Sequence, residues 1–561
     1  MTSSNRFKKL VLVAALAASP TAFPQPSIAQ GAPEPAPPRT SGTSGTSGIS
    51  GTSGALPTLG DGSELSAAAE RRIGDRIAGG IYRDPDFLDD AILQDYLQSI
   101  WQPLLKAAKE RGDLSPELND RFAWELFLIR DRSVNAFALP GGYFGVHLGL
   151  IGVVSSADEL AAVLGHEMSH VTQRHISRLI TQQSRSTPWM IGAMILGALA
   201  ASKNPQAANA LMTGGQALAA QSQLNFSRDM EREADRVGFG IMTSGGFDPR
   251  GAAGMFEKLQ QASRLNDSGS YPYLRSHPLT TERLGDAQAR FQLVPAASID
   301  KAAPPSDAKV WHAMMAARAR VLAEPGVDAL RSALGEAQRA GSTATEKTAA
   351  SLYGGALAAA KLRDFKAANA LAGQLTNLFG RTDVPHKGMA DVPQKGTADA
   401  PQKGKGAAQA ARQLALELDL MAGVVPAGAA QLDTSALSQS SQRADVLLQS
   451  RAMLAAGRAS EVSGALLNWV TARPKDVAAW QLLAQAYGTQ GKEVRAIWAD
   501  AEARVVQLDY TAALDRLKAA QNMMRSRPGS GDFMDASIVD TRARQVTLLA
   551  REQALEDKLD R

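Results

Sequence analysis

Five consecutive residues, His166-Glu167-Met168-Ser169-His170, carry the strongest chemical signal in the chain. At 100° per residue the two imidazoles lie about 40° apart, one turn along a single helical face, so both can reach one tetrahedral metal. Glu167 stands beside them, placed to take a proton from a metal-bound water. Two ligands leave such a metal under-coordinated, and a third must come from elsewhere in the chain.

Its source can be narrowed by exclusion. A His-Glu-x-x-His-x-x-Gly-x-x-His site would need Gly and His where this chain has Gln173 and Ile176, so that arrangement is ruled out. A carboxylate some twenty residues further on is also ruled out, because the 61 residues from Met168 to Arg228 contain no Asp or Glu. His175 would lie about 140° around a continuous helix from His170 and so cannot join the same metal; it reads as a structural or surface histidine. The first acids after the gap arrive together in SRDMEREADRVGFG, as Asp229, Glu231, Glu233 and Asp235. Glu231 and Asp235 share a helical face at i, i+4, so one can bind a metal while the other orients a ligand histidine through its second nitrogen.

Two helices must position these groups. Ser156 followed by Glu159 forms a capping box, and Leu160, Val163, Leu164 and Met168 continue an apolar face, which predicts a helix from 157 to about 180. The acidic cluster belongs to a second helix, capped by Ser227 and ended near Gly245-Gly246.

The whole chain has 561 residues, 60 Lys+Arg against 56 Asp+Glu, seven histidines and no cysteine. The missing cysteine excludes a disulfide framework, a thiolate metal site, an iron–sulfur cluster and a cysteine nucleophile. The near balance of charge, with no dominant basic block, excludes a dedicated nucleic-acid binder. Arg6, Lys8 and Lys9 precede an apolar run from Leu10 to Phe23 and then Ser27-Ile28-Ala29, the pattern of a signal peptide over residues 1–29 and hence of export. Residues 30–62, rich in Pro, Gly, Ser and Thr, read as a disordered linker. Residues 63–295 have the composition of a mixed, largely helical domain. Ala-rich helical periodicity then runs over 306–530, with a final helix over 531–561. Inside it, DVPHKGMA, DVPQKGTA and DAPQKGKG form three imperfect repeats at 383–406, too rich in Pro and Gly for helix or sheet.

A longer period is also present. Val446, Met453 and Val462, with Gly457 at a turn, find equivalents 34 residues on at Trp480, Tyr487 and Ala496. With Leu483 and Ala484 this resembles the tetratricopeptide repeat, and Leu352 to Leu375 reads as a weaker unit with Asp364-Phe365 at its second helix. Stacked helix pairs leave a concave face suited to binding peptides or partners. Between the two metal-binding helices runs Trp189 to Ala201, 13 apolar residues covering about 20 Å as a helix and too short to span a bilayer. It reads as a buried helix or lid, with peripheral membrane contact as the alternative, since Arg174, Arg178, Arg185, Lys203 and Arg228 accompany it without an acid.

His-Glu-x-x-His, then Glu-x-Glu-Ala-Asp after Ser-Arg, together with Asn135-Ala136-Phe137-Ala138-Leu139-Pro140-Gly141-Gly142-Tyr143-Phe144 upstream and Ser276-His277-Pro278 with Arg283 downstream, resemble the M48 family of zinc metallopeptidases. With LPTLG at 56–60 the resemblance covers most of residues 56–295, and the domain order matches the periplasmic, repeat-bearing branch acting in β-barrel assembly. The resemblance implies a mainly α fold: a zincin-like metalloprotease domain with a small β-sheet, followed by an α-helical tetratricopeptide-repeat solenoid. It implies one Zn2+ per chain held by His166, His170 and Glu231, with Glu167 as general base and Asp235 supporting a ligand. It implies that Asn135 to Val146, including Phe137, Gly141 and Gly142, forms an edge strand that pairs with substrate backbone. His277 would approach the zinc as a fourth ligand and latch the site shut. The implied function is a periplasmic zinc endopeptidase whose clients are unfolded or misassembled outer-membrane proteins and their assembly machinery. The alternative is a chaperone or scaffold whose protease activity is latched or incidental; an integral-membrane prenyl-protein-type protease is disfavoured because no uninterrupted 18-residue apolar segment follows the leader.

Overall fold

The computed structural model describes residues 65–183, 228–264, 271–292 and 306–559, apart from 324–325, 342–344, 380–405, 441 and 528. The expected signal peptide and linker, Ser227, the apolar run 189–201 and the insertion up to residue 405 lie outside the described residues.

Several helix starts are set by a local side chain. Helix α1 (Ala67–Tyr82) is capped by Ser66, and α2 (Ala91–Glu110) by Asp90. Strand β1 (Phe87–Leu88) lies between them and α3 (Pro116–Arg121) follows. Three strands then complete a small sheet: β2 (Glu125–Ile129), β3 (Ala136–Leu139) and β4 (Tyr143–His147). Its order is β1-β2-β4-β3, with β2 and β4 parallel and the other pairs antiparallel. Gly141 and Gly142, at φ of 74° and 79°, turn the β3–β4 hairpin. Gly145 lies opposite Phe137, whose ring occupies the place a side chain would need.

Helix α4 (Leu148–Val153) leads into α5 (Ala157–Thr172), whose Ser156 cap accepts from Glu159 N at 3.2 Å. Glu159 in turn accepts from Ser155 N at 2.6 Å, one residue short of the reciprocal bond expected. The helix expected over 157 to about 180 is two helices, because Arg174 adopts φ 55° and α6 starts afresh at His175 (His175–Gln183). Arg174 is held there by Glu70 at 3.0 Å, Ser177 at 3.1 Å and the Leu65 carbonyl. This backbone break is imposed by tertiary contacts, which helical periodicity does not register.

After it come α7 (Arg228–Ser244), α8 (Arg250–Arg264), α9 (Tyr273–Ser276) and α10 (Thr281–Gln292). Helices α5 and α7 cross at Gly165 and Gly238, where an added Cβ on Gly238 would lie 2.8 Å from His166 N. Only paired glycines permit that approach, which brings the two chemical helices to backbone contact.

Helices then pack against one another: α11 (Ser306–Leu322), α12 (Val327–Gln338), α13 (Glu346–Lys361), α14 (Phe365–Leu378), α15 (Gly406–Met421), the short α16 (Thr434–Gln439), α17 (Arg443–Ala455), α18 (Ala459–Ala472), α19 (Val477–Thr489), α20 (Glu493–Val506), α21 (Tyr510–Ser526) and α22 (Phe533–Leu559). Gly457 and Gly491, 34 residues apart, both end their helices at positive φ, and Val446, Met453, Val462, Trp480, Leu483 and Tyr487 are buried between pairs. The sheet-bearing region and the following helices share one apolar core, and buried charges join them. Arg318 on α11 reaches Asp90 at 2.6 Å, Glu417 at 2.7 Å and the Tyr353 hydroxyl at 3.2 Å. Asp95 accepts from the backbone of Arg443 and Ala444 at the start of α17. Among the described residues no helix is long and apolar enough to cross a membrane.

Candidate metal centre

Helix α5 delivers His166 and His170 on one face, and their Nε2 atoms stand 3.0 Å apart. Helix α7 delivers Glu231, with Oε2 at 3.6 Å from His166 Nε2 and Oε1 at 3.5 Å from His170 Nε2. The loop after α9 brings His277, whose Nδ1 lies 3.3 Å from His166 Nε2 and 3.0 Å from Glu231 Oε1. Four donor atoms, one from each residue, thus lie within 4.8 Å of one another.

The donors fit a tetrahedral ion. Nitrogen and oxygen ligands at about 2.0–2.2 Å from a common centre are separated by about 3.3–3.6 Å, close to the spacings here. The hydrogen bonds behind the histidines agree. Asp235 Oδ1 lies 3.0 Å from His166 Nδ1, so the proton of that ring is at Nδ1 and the Nε2 lone pair faces the cluster. Two imidazole nitrogens facing each other at 3.0 Å, beside a carboxylate, form a site complementary to a cation.

Glu167, one residue along from His166, is 1 % exposed and stands apart from the four donors. His277 Nε2 lies 3.5 Å from its Oε1, and the Tyr273 phenol faces it without forming a well-aligned bond, so both carboxylate oxygens lack a properly formed hydrogen bond. Burial raises the Glu167 carboxyl above its ordinary range, against the pull of His277 and His166. Burial acts on Glu231 in the same sense, but His277, His166 and Arg283 hold it below the ordinary range. His277 is driven down by burial and more than recovered by Glu231 and Glu167, so it is raised. Two carboxyls in one pocket are thereby separated into one that holds a proton readily and one that stays charged.

Arg283 fastens the acids. It meets Asp235 through Nε at 2.7 Å and Nη2 at 2.8 Å, Glu231 through Nη1 at 2.7 Å, and donates to the Pro278 carbonyl at 2.9 Å. Against the effect of burial, Arg283 and His166 hold Asp235 well below the usual carboxylate range. The space beside His166, bounded by Asp235, Tyr273, His277 and Arg283, is a cavity of about 50 Å3. That admits a water or two and excludes a peptide.

Four features differ from the sequence expectations or lie beyond them. His175 is fully buried, with Nδ1 at 2.9 Å from His170 Nδ1 and Nε2 at 3.0 Å from Glu233, and burial lowers it to about 4. A surface position for it is therefore excluded, and the turn at Arg174 is the reason. Residues 135–146 are not one edge element: among the described strands β3 ends the sheet on this side, beside α5, while β4 is interior. Gly141 and Gly142 are buried against Arg71 and Phe122, leaving Asn135 and Phe137 as the half-buried members of the group singled out above. Tyr273 reaches the site from the start of α9 with no sequence signal of its own beyond the Ser-His-Pro that follows, whereas Arg283, on α10, belongs to the motif quoted above, which assigns it no role. Of the cations considered for a membrane surface, Arg174 and Arg178 are engaged internally with Glu70 and Glu233.

Residues 93–291 match the model of Peptidase family M48. Over 277 residues the chain is 34 % identical to a putative beta-barrel assembly-enhancing protease of Vibrio cholerae, covering 49 % of this chain and 53 % of that protein. It is 33 % identical over 237 residues to the beta-barrel assembly-enhancing protease of Escherichia coli K12, 42 % of this chain and 47 % of the relative. It is 34 % identical over 195 residues to the mitochondrial metalloendopeptidase OMA1 of Arabidopsis thaliana, 35 % of this chain and 36 % of the relative. The chain spans about half the length of the bacterial relatives it matches. With its buried histidine–glutamate cluster inside the matched segment, the chain carries a domain of peptidase family M48.

Proposed function

We propose that the chain is a zinc-dependent endopeptidase in which His166, His170 and Glu231 hold the metal and Glu167 is the general base. The observation that supports this most is the convergence of the four donor atoms with a buried carboxylate standing just outside them. Zinc bound there supplies Lewis acidity toward a carbonyl oxygen and lowers the pKa of water from 15.7 toward about 7. Glu167 takes a proton from the attacking water and returns it to the leaving amine, a double duty suited to a carboxyl raised by burial. Asp235 holds His166 in the tautomer that presents Nε2, and Arg283 keeps Asp235 and Glu231 charged and in place. The free edge of β3, beside α5, would carry substrate backbone through Asn135 and Phe137.

His277 is the fourth donor, and its position gives a closed state. While its imidazole faces Glu231 and Glu167 the position a substrate carbonyl needs is filled. This favours a second reading for the resting protein, a chaperone or scaffold whose peptidase activity is latched. The match to beta-barrel assembly-enhancing proteases supports a periplasmic role in outer-membrane protein assembly and quality control, with the tetratricopeptide-like helical region binding clients or assembly partners. The signal peptide at 1–29, the linker to 62, the peptidase domain at 63–295 and the repeat region from 306 belong to the same proposal.

Glu167→Gln tests it. The variant should fold and retain one Zn2+ per chain while losing at least about 100-fold in hydrolysis of an unfolded substrate. Full activity in that variant would sink the assignment, and retained client rescue without activity would favour the scaffold reading.

A further inference from the structure

We propose that His175 and Glu233 are positioning residues that fix the tautomer of His170 and so prepare its Nε2 for the metal. The inference rests on the metal-site reading above and assigns the part of that site which the ligands themselves leave open.

Asp235 orients His166 directly, its Oδ1 at 3.0 Å from Nδ1. Behind His170 stands a second imidazole: His175 Nδ1 lies 2.9 Å from His170 Nδ1. The far side of that ring, Nε2, lies 3.0 Å from Glu233 Oε2, which also accepts from Arg178 at 2.9 Å. A carboxylate paired with an arginine only accepts, so His175 carries its proton at Nε2 and offers a lone pair at Nδ1. His170 must then donate from Nδ1, and its own Nε2 is left as a lone pair turned to Glu231 and His166. The opposite arrangement would put a His170 proton in the middle of the donor cluster and set the His175 Nε2 lone pair against the Glu233 carboxylate. One helix thus addresses both histidines, since α7 supplies Glu231 as a donor, Asp235 behind His166 and Glu233 behind His170. The turn at Arg174 makes this reachable, because on an unbroken helix His175 would point about 140° away from His170.

The test is Zn2+ affinity of the full-length protein, measured by competition with a chromophoric chelator. His175→Leu should bind Zn2+ about 10–100-fold more weakly. His175→Gln keeps an accepting oxygen and a donating amide and should recover to within about threefold of the parent. Unchanged affinity in a folded His175→Leu protein, or equal loss in His175→Leu and His175→Gln, overturns the inference. Should His175→Leu fail to fold, the test passes to Glu233, whose side chain is 32 % exposed. Glu233→Leu should weaken Zn2+ binding and Glu233→Gln should largely preserve it; an affinity for Glu233→Leu equal to that of the parent overturns the inference. His170→Ala separates the two readings: unaltered Zn2+ binding there removes the metal site itself, whereas loss there with no effect at His175 and Glu233 removes only their positioning role.

Discussion

Replacing Arg283 with methionine should expose how much of the site is held together without metal. The guanidinium is 5 % exposed and contacts Asp235 twice, Glu231 once and the Pro278 carbonyl once. Removing one partner of a buried ion pair costs about 3–5 kcal/mol, mostly because the remaining charge is stranded. Here Asp235 keeps His166 at 3.0 Å and Glu231 keeps His277 at 3.0 Å, so the lower end, about 3 kcal/mol, is expected. That is roughly two orders of magnitude in the unfolding equilibrium. A bound divalent cation beside Glu231 would replace part of the missing positive charge, so the deficit should shrink under saturating Zn2+. Equilibrium urea unfolding of Arg283→Met and the parent, each with chelator and with excess Zn2+, measures both quantities. Arg283→Lys, which returns a charge without the two-pronged geometry, should recover only part of the loss. A deficit below about 1 kcal/mol without metal, or one unchanged by zinc, would refute this account of the site's electrostatics.

Other expectations follow from single contacts. His277→Ala should raise the rate of hydrolysis of an unfolded protein substrate in a direct proteolysis assay, and an unchanged or lower rate would count against the latch. Gly238→Ala places a methyl 2.8 Å from His166 N and 2.9 Å from the Gly165 carbonyl carbon, against backbone that cannot rotate away. It should cost about 1–3 kcal/mol in thermal melts and weaken Zn2+ binding, because it pushes α5 and α7 apart. Burial lowers His147 to about 4, so it is neutral in the fold while the unfolded chain titrates near 6.5. Its contribution is full above about 6.5 and disappears as pH falls toward about 4, by up to about 3 kcal/mol; urea midpoints for His147→Gln should show a flatter pH slope over that window.

The parts of the site legible in the sequence are those with a local period. His166 and His170 sit one turn apart, Glu231 and Asp235 likewise, and the acid-free interval between them isolates the second group. Around residues 446–496 the helix packing has a similar signal, the 34-residue step from Val446 and Met453 to Trp480 and Tyr487, all four of which are buried. What periodicity misses comes from contacts distant in the chain. Arg174 leaves the helical region because Glu70 and Leu65, about a hundred residues earlier, hold its side chain, and the position of His175 changes with it. Pro140-Gly141-Gly142 marks a turn between two apolar segments, but which of them is the edge depends on β2 pairing with β4. Arg283 stands out as part of a motif, yet its hold on both acids is a tertiary fact.

Arg318 ties the α2 cap Asp90 to Glu417 and Tyr353, and Asp95 caps the start of α17 from within the same helix. The boundary seen in composition near residue 300 is therefore not a seam at which the molecule comes apart. A chain ended at 295 would present Asp90, Asp95 and the apolar flank of α2 to water with their partners gone. The peptidase segment and the helices behind it should melt in one calorimetric transition and exchange their slowest amides together. Any signal that loosens the helices would then be felt as a change in the footing of α2, on which the sheet and α5 are packed.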